Sequence, residues 1–181
     1  LIDVACGTGD IAKLYSNATE NKSYILATDP NKKMLSKAKL RLSNFQNIKF
    51  KICPGENLEV DSEIFDFYSI SFGMRNTSDI NKTISEAFRV LKKGGRFFCL
   101  EFSKINNENF NFLYKQYSKL IPKIGSKIVG DREPYEYLVK SIEQFLNQEE
   151  LLYILEDNGF VNCEYKNLSG GIVAIHSGWK I

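Results

Sequence analysis

From Leu1 to Phe102 the chain alternates short apolar runs with segments of helical period, and after Asn147 it closes on two apolar runs joined by Ser169-Gly170-Gly171. No other feature narrows the fold as much. Such alternation is the pattern of a parallel sheet carrying helices on its faces. A short glycine link between two final runs predicts an antiparallel pair instead. The expected parallel strands are Leu1–Ala5, Tyr24–Thr28, Ile48–Ile52, Phe65–Phe72 and Arg96–Phe102, and the final pair is about Val161–Lys166 and Ile172–Ser177. A first helix is expected from Asp10. Asn31 caps a second, with Met34, Leu35, Ala38 and Leu42 as its core stripe. A third carries Ile80, Ile84, Ala87, Phe88 and Leu91 and is predicted to end in Lys92-Lys93-Gly94-Gly95, cations at the negative dipole end and glycines free to turn. Asn147 and Glu150 read as a capping box that opens the last helix, and Gly159 follows its end.

Between about Ser103 and Asn147 the pattern changes to two amphipathic helices. Phe110, Leu113, Tyr114, Tyr117, Leu120 and Ile121 stripe one, and Tyr135, Leu138, Ile142, Phe145 and Leu146 the other. A length of 181 residues suits a single domain with this helical insertion. No run of about 20 apolar residues is present, so no membrane-spanning helix is expected, and no signal-peptide pattern is seen. Lys+Arg 24 against Asp+Glu 22 leaves +2, which makes no electrostatic case for nucleic acid or an anionic membrane. Cys6, Cys53, Cys99 and Cys163 are scattered, and His176 is the one histidine, so no metal site is expected. Scattered thiols of this kind suit a reducing compartment.

The segment Asp3-Val4-Ala5-Cys6-Gly7-Thr8-Gly9-Asp10 joins the first strand to the first helix. Glycines there let the backbone approach a ligand, and the helix start presents free N–H groups. About 20 residues on, at the end of the second strand, Asp29 is placed to accept hydrogen bonds from ribose hydroxyls. Together they point to an adenosine-type ligand. A turn with glycines for geometry alone is one alternative. Dinucleotide binding is another, since Gly7-x-Gly9-x-x-Ala12 fits the permissive NAD pattern. The antiparallel ending discriminates, because an NAD-dependent oxidoreductase continues with parallel strands.

That ending, together with the nucleoside motif, resembles the class I S-adenosylmethionine-dependent methyltransferases. Four further segments make the resemblance narrow: Ile70-Ser71-Phe72-Gly73-Met74-Arg75-Asn76, Leu100-Glu101-Phe102-Ser103-Lys104, Tyr137-Leu138-x-x-Ser141-Ile142 and Gly171-Ile172-Val173-Ala174-Ile175-His176-Ser177-Gly178. They resemble the ubiquinone/menaquinone-biosynthesis C-methyltransferase family over nearly the whole chain. The resemblance implies an α/β, Rossmann-like class I methyltransferase fold: a mostly parallel sheet, helices on both faces and a C-terminal antiparallel strand pair. It implies S-adenosyl-L-methionine as cofactor and C-methylation of a prenylated benzoquinol or demethylmenaquinol. Cofactor contacts carry over to Thr8, Asp29, Pro54, Gly55 and Ser71, with Asp3, Gly7 and Gly9 in the same motif. The family usually has Asn or Asp where Pro54 stands. Proline has neither an amide donor nor a polar side chain, so a contact to adenine is lost while the Gly55 N–H remains.

Arg75, Asn76 and Glu101 are the candidate catalytic residues. Arg75 follows the fourth strand, at the sheet edge where ligands bind, and its permanent charge suits stabilising a phenolate rather than taking a proton. A salt bridge bracing the loop is the alternative for Arg75, and a helix cap for Asn76. Glu101 ends the fifth strand as base or orienter, or as a structural carboxylate. Tyr117, Tyr137 and Asp131 are the candidate substrate contacts; aromatic stripes at helical spacing otherwise read as core. His176 reads as structural. The expected partners are the quinol, a quinone-biosynthesis complex, a peripheral membrane surface and a second copy as homodimer, with no nucleic acid. The expected location is the cytoplasm, peripheral at the inner membrane (the mitochondrial matrix face in a eukaryote). The chain opens at Leu1, inside the first strand, and the resemblance implies roughly 60 further residues before the glycine loop, a helical cap of several turns. A non-catalytic scaffold, favoured by Pro54, and the NAD-dependent oxidoreductase stay open as readings of other classes.

Overall fold

A computed structural model describes residues 1–105 and 133–181. The strands are β1 (Ile2–Val4), β2 (Ile25–Thr28), β3 (Ile48–Lys51), β4 (Phe65–Ser71), β5 (Leu91–Phe102), β6 (Val161–Leu168) and β7 (Val173–Trp179). The helices are α1 (Asp10–Ala18), α2 (Lys32–Arg41), α3 (Ile80–Val90), α4 (Glu133–Gln144) and α5 (Gln148–Asp157). Among the described residues the strands form one sheet in the order β3-β2-β1-β4-β5-β7-β6. β1, β2, β3, β4 and β5 run parallel. β7 enters antiparallel between β5 and β6, as the Ser169–Gly171 link predicts.

The order has a consequence for function. From β1 the chain first steps outward through β2 and β3, then returns to add β4 on the other side of β1. The β1/β4 boundary is therefore the topological switch point, and the crevice beyond the strand ends there is where open α/β sheets take ligands.

Strand parity gives the sheet two buried faces. Ile2, Val4 and Ile70 pack with Ile84, Ala87 and Val90 of α3 and with Leu151 and Leu155 of α5. Leu1, Ile25 and Ala27 pack on the opposite face with Ala12 of α1 and with Leu42 and Ile48. Each of these Leu, Ile and Val side chains contributes roughly 1.5–3 kcal/mol on burial, and each alanine about 0.8 kcal/mol. Asp3 shares the parity of Leu1, so its carboxylate is carried into that face. The capping box of α5 is present: the Asn147 side chain accepts from the Glu150 N–H, and Glu150 accepts from the Asn147 N–H.

Two expectations are corrected. Lys92–Gly95 does not cap α3. The helix ends at Val90, and Lys92–Gly95 lie within β5, where the pairing skips from Phe65↔Leu91 to Phe67↔Arg96. Lys92 pairs with Asp66 at 2.8 Å instead. The end of α3 is closed from far along the chain: Lys180 Nζ donates to the carbonyls of Phe88 (2.9 Å) and Leu91 (2.8 Å) and pairs with Glu63 at 3.1 Å. Met34 does not belong to the core stripe of α2. It is 41% exposed, whereas Leu35, Ala38 and Leu42 are buried. Of the insertion, α4 is described; the stripe from Phe110 to Ile121, with Tyr117, and the Asp131–Arg132 pair lie outside the described residues.

Candidate active site

The glycine loop is built by left-handed backbone. Ala5 (φ 52°), Gly7 (φ 56°) and Gly9 (φ 83°) turn the chain from β1 into α1. The two glycines serve different ends. A Cβ on Gly7 would meet nothing within 4 Å, so its bare face borders open space. A Cβ on Gly9 would lie 2.6 Å from Leu42 Cδ1. Gly9 is not among the residues lining the cleft; its bare face lets α1 start against the residue that follows α2.

Asp29 ties this loop to the neighbouring helix. Its Oδ2 accepts the Gly7 N–H at 2.9 Å and its Oδ1 accepts the Asn31 N–H at 2.7 Å. Each oxygen keeps a lone pair for a further donor. Asp3 sits below. Its register partner on β4 is Ser69, whose hydroxyl donates to Oδ1 at 2.8 Å. Asp3 Oδ2 is buried without a partner among the described residues. Burial lifts the Asp3 carboxyl to about 7, with the Ser69 hydrogen bond pulling the other way.

These groups face one cavity of about 870 Å³ at the switch point. Asp3, Gly7, Thr8 and Asp29 line it from the β1/β2 side. Pro54, Gly55, Ser71 and Asn76 line it from the other loops. Gly55 is closely packed: a Cβ there would lie 3.1 Å from Thr83 Cγ2 and 3.3 Å from Val4 Cγ1. Sequence reasoning missed Met34, Cys6 and Phe72, which also line this cavity. Met34 fell to helical periodicity, which does not distinguish a core stripe from the first turn of a helix that opens on a cleft. Cys6 and Phe72 flank glycines that drew the attention. Burial pushes the Cys6 thiol far up, so it is no nucleophile.

Arg75, Glu101 and Tyr137 lie elsewhere. Arg75 is in a short 3-10 turn after β4. Its guanidinium donates to Glu101 Oε1 at 2.7 Å and to the Phe72 carbonyl at 2.6 Å, and its backbone N–H donates to Glu101 Oε2 at 3.3 Å. The side chains are 9% and 1% exposed. Glu101 Oε1 also accepts the Phe102 N–H at 2.9 Å. Burial raises the Glu101 carboxyl, and the adjacent guanidinium draws it back down. Glu101 lines neither of the two cavities, and both its oxygens are engaged by Arg75 and the Phe102 N–H. Arg75 Nε is buried without a partner among the described residues.

Arg75 and Tyr137 line a second cavity of about 280 Å³, together with Ile80, Phe145 and Leu146. Asn76 joins the two cavities: it borders the first, and its Oδ1 accepts the Tyr137 hydroxyl at 3.0 Å. Asn76 caps no helix; Asp79 caps α3. His176 lines neither cavity. It is buried, its Nε2 lies 3.0 Å from the Gln148 carbonyl, and burial lowers its pKa, so it is neutral there.

The first cavity fits a nucleoside with a cationic arm. Its volume is that of a small-molecule site. Asp29 has acceptor capacity left for ribose hydroxyls, and the unpartnered Asp3 oxygen suits a positively charged group. Pro54 offers no polar side chain to a base.

Comparison with known proteins agrees with this geometry. The ubiE/COQ5 methyltransferase family matches residues 1–180. A ubiquinone/menaquinone biosynthesis C-methyltransferase UbiE of Rickettsia akari is 50% identical over 188 residues, covering 100% of this chain and 76% of the relative. That of Rickettsia bellii (strain OSU 85-389) is 48% identical with the same coverage. Among solved structures, a SAM-dependent methyltransferase from Aquifex aeolicus superposes with a TM-score of 0.73 at 16% identity, covering 99% of this chain and 81% of that one. The [4+2]-cyclase SpnF superposes at 0.74 and 18% identity, covering 99% and 74%, so the fold likeness by itself does not assign a reaction. The family match, running almost end to end over a sheet and a cleft of this form, places the chain in the ubiE/COQ5 methyltransferase family, among the S-adenosylmethionine-dependent methyltransferases.

Proposed function

We propose that this enzyme methylates a ring carbon of a prenylated benzoquinol or of demethylmenaquinol. The observation that carries the reading is identity of 48–50% along the whole chain to relatives named as ubiquinone/menaquinone biosynthesis C-methyltransferases. The two adjoining cavities support it, one carrying Asp3 and Asp29, the other carrying Arg75 and Lys140 beside the apolar Ile80, Phe145 and Leu146.

S-adenosylmethionine, when bound, supplies an electrophilic methyl group on a positively charged sulfur. The chain's own residues do the rest. Asp29 holds the ribose end, with Gly7 and Thr8 at the loop, and Asp3 compensates the cationic arm. Ser71 and the Gly55 N–H complete the cradle. In the acceptor, a ring carbon would form the new bond to the methyl carbon as the C–S bond gives its electron pair to sulfur, and the ring would then pass its proton to solvent water. The carbon is nucleophilic when a neighbouring hydroxyl is ionised. Arg75 favours that anion through its charge and cannot itself accept the proton. Asn76, held by Tyr137, orients groups at the junction. Ile80, Phe145 and Leu146 offer apolar surface for the start of the isoprenoid tail. Such a substrate comes from a lipid phase, so we place the enzyme in the cytoplasm or matrix, in peripheral contact with the inner membrane. Delivery of that kind favours assembly with other quinone-biosynthesis proteins or as a homodimer.

The test is direct. Purified protein is incubated with methyl-labelled S-adenosylmethionine and either demethylmenaquinol or a prenylated benzoquinol, and products are read by mass spectrometry. Label on a ring carbon of either quinol is expected. Donor binding with no labelled product from either quinol would overturn the proposal.

A further inference from the structure

Phe72 stands out from the other aromatic residues of the sheet. Tyr68 and Phe97 are fully buried, but Phe72 is 39% exposed. No other described phenylalanine is classed as exposed. Its backbone is left-handed, φ 55°, a conformation that is rare and costly for a bulky side chain. Phe72 follows β4 directly and lines the donor cavity.

The surroundings fix that ring. The Phe72 N–H donates to the Leu100 carbonyl at 2.8 Å. Its own carbonyl accepts from Arg75 at 2.6 Å and from Asn76 Nδ2 at 3.4 Å. One side of the ring packs on Phe102, centroids 5.1 Å apart, and the Arg75 guanidinium lies over Phe102 at 5.2 Å from its centroid. Arg75, Phe102 and Phe72 thus lie in series, the two rings tilted at 51°, and the series ends at Phe72, which lines the cavity. The two side chains best placed to govern the chemistry are hydrogen-bonded to the same residue that carries the ring.

We propose that Phe72 is the stacking surface for the aromatic ring of the methyl acceptor, and so a determinant of specificity for flat, electron-rich rings. The proposal deepens the quinol reading and rests on it for the identity of the ring. An offset or edge-on ring pair contributes about 2- to 10-fold in affinity beyond the apolar area it covers.

Two variants test it. Phe72→Trp keeps an aromatic surface. Phe72→Gly removes the ring and suits the positive φ, so the fold is retained. With the demethylmenaquinol assay, Phe72→Gly is expected to raise KM for the quinol at least tenfold, more than it raises the dissociation constant for S-adenosylmethionine, and Phe72→Trp is expected to recover most of the loss in quinol KM. An independent measurement uses menadione, a tail-less naphthoquinone, titrated by calorimetry into the protein saturated with S-adenosylhomocysteine. Binding to the parent and to Phe72→Trp, with tenfold or greater loss in Phe72→Gly, supports the stacking role. It does so even where neither quinol is methylated, an outcome that would sink the quinol reading alone. Menadione binding that is absent in the parent, or equal in the parent and Phe72→Gly, overturns the proposal.

Discussion

Asp3 gives the sharpest quantitative test. The carboxyl is fully enclosed, one oxygen bonded to Ser69 and the other without a partner among the described residues, and burial raises it from 3.8 to about 7. A carboxyl raised in the folded state favours the protonated native form. Its contribution to stability is therefore complete below the unfolded pKa and is lost as pH rises through the folded one. At 1.36 kcal/mol per pKa unit, a rise of about three units amounts to roughly 4 kcal/mol, lost between about pH 4 and pH 7. Asp3→Asn keeps the shape and an acceptor for Ser69 but does not titrate. The stability of the variant relative to the parent should therefore grow with pH, by roughly 2–3 kcal/mol between pH 5 and pH 8. In urea unfolding this is a relative midpoint shift on the order of 1 M. Any constant cost of the substitution cancels in that comparison. Saturating S-adenosylmethionine should flatten the parent's profile, because a cation beside Oδ2 restores ionisation. A gap between variant and parent that is equal at pH 5 and pH 8 would refute the reasoning.

Three further outcomes are expected. Glu101→Ala leaves the Arg75 guanidinium buried and unpaired, which costs about 3–5 kcal/mol in chemical unfolding; a loss under 1 kcal/mol would mean the pair is solvated. A Cβ on Gly73 would lie 2.4 Å from the Ala5 Cβ, so Gly73→Ala should destabilise by roughly 1–3 kcal/mol and weaken donor binding by pushing the glycine loop away from β4; unchanged thermal unfolding and donor affinity would show that the gap is elastic. Lys180→Met leaves two carbonyls at the end of α3 without their donor and should cost about 1–3 kcal/mol, read as a lower unfolding temperature; hydrogen exchange at the last turn of α3 as slow as in the parent would exclude the capping role.

The features that the chain announces in advance are those written over short spans. Asn147 and Glu150 cap α5 because both partners lie within four residues. The antiparallel end was legible because Ser169–Gly171 is too short for a crossover. The Asp3–Asp10 loop and Asp29 were legible because the distance between a strand end and the next strand end is fixed by one helix. What failed depends on distant chain. Lys92–Gly95 has the composition of a helix end, but the donors that close α3 are Lys180 and the Glu63 and Ile64 N–H groups, and the glycines instead serve a skip in β5. Nothing local to Glu101 shows that Arg75 engages it from 26 positions away. Phe72 lies inside a segment that carries the family resemblance, but as the last residue of an expected strand it gives no local sign that its backbone turns left-handed there.

The switch point also organises charge, which bears on the reaction proposed. Asp3 and Asp29 stand on β1 and at the end of β2; Arg75 stands after β4. The Arg75–Glu101 pair is neutral as a whole, yet it is oriented. Arg75 lines the second cavity and Glu101 lines neither, so the positive end of the pair is the one an acceptor meets. A cationic donor is thereby favoured on the acidic side of the β1/β4 boundary and an anionic acceptor on the other. Moving a methyl group from a positive sulfur to a ring activated by a phenolate cancels both charges. Water stabilises the separated charges more than it stabilises their merging, so excluding it lowers the barrier. Pairing Arg75 with Glu101 keeps a cation in a dry site at tolerable cost while presenting its positive end to the acceptor. Replacing Glu101 by glutamine would leave that guanidinium more strongly positive. It should tighten quinol binding and slow turnover, since a phenolate held too firmly is a poorer nucleophile; a fall in affinity without a fall in kcat would count against an oriented pair.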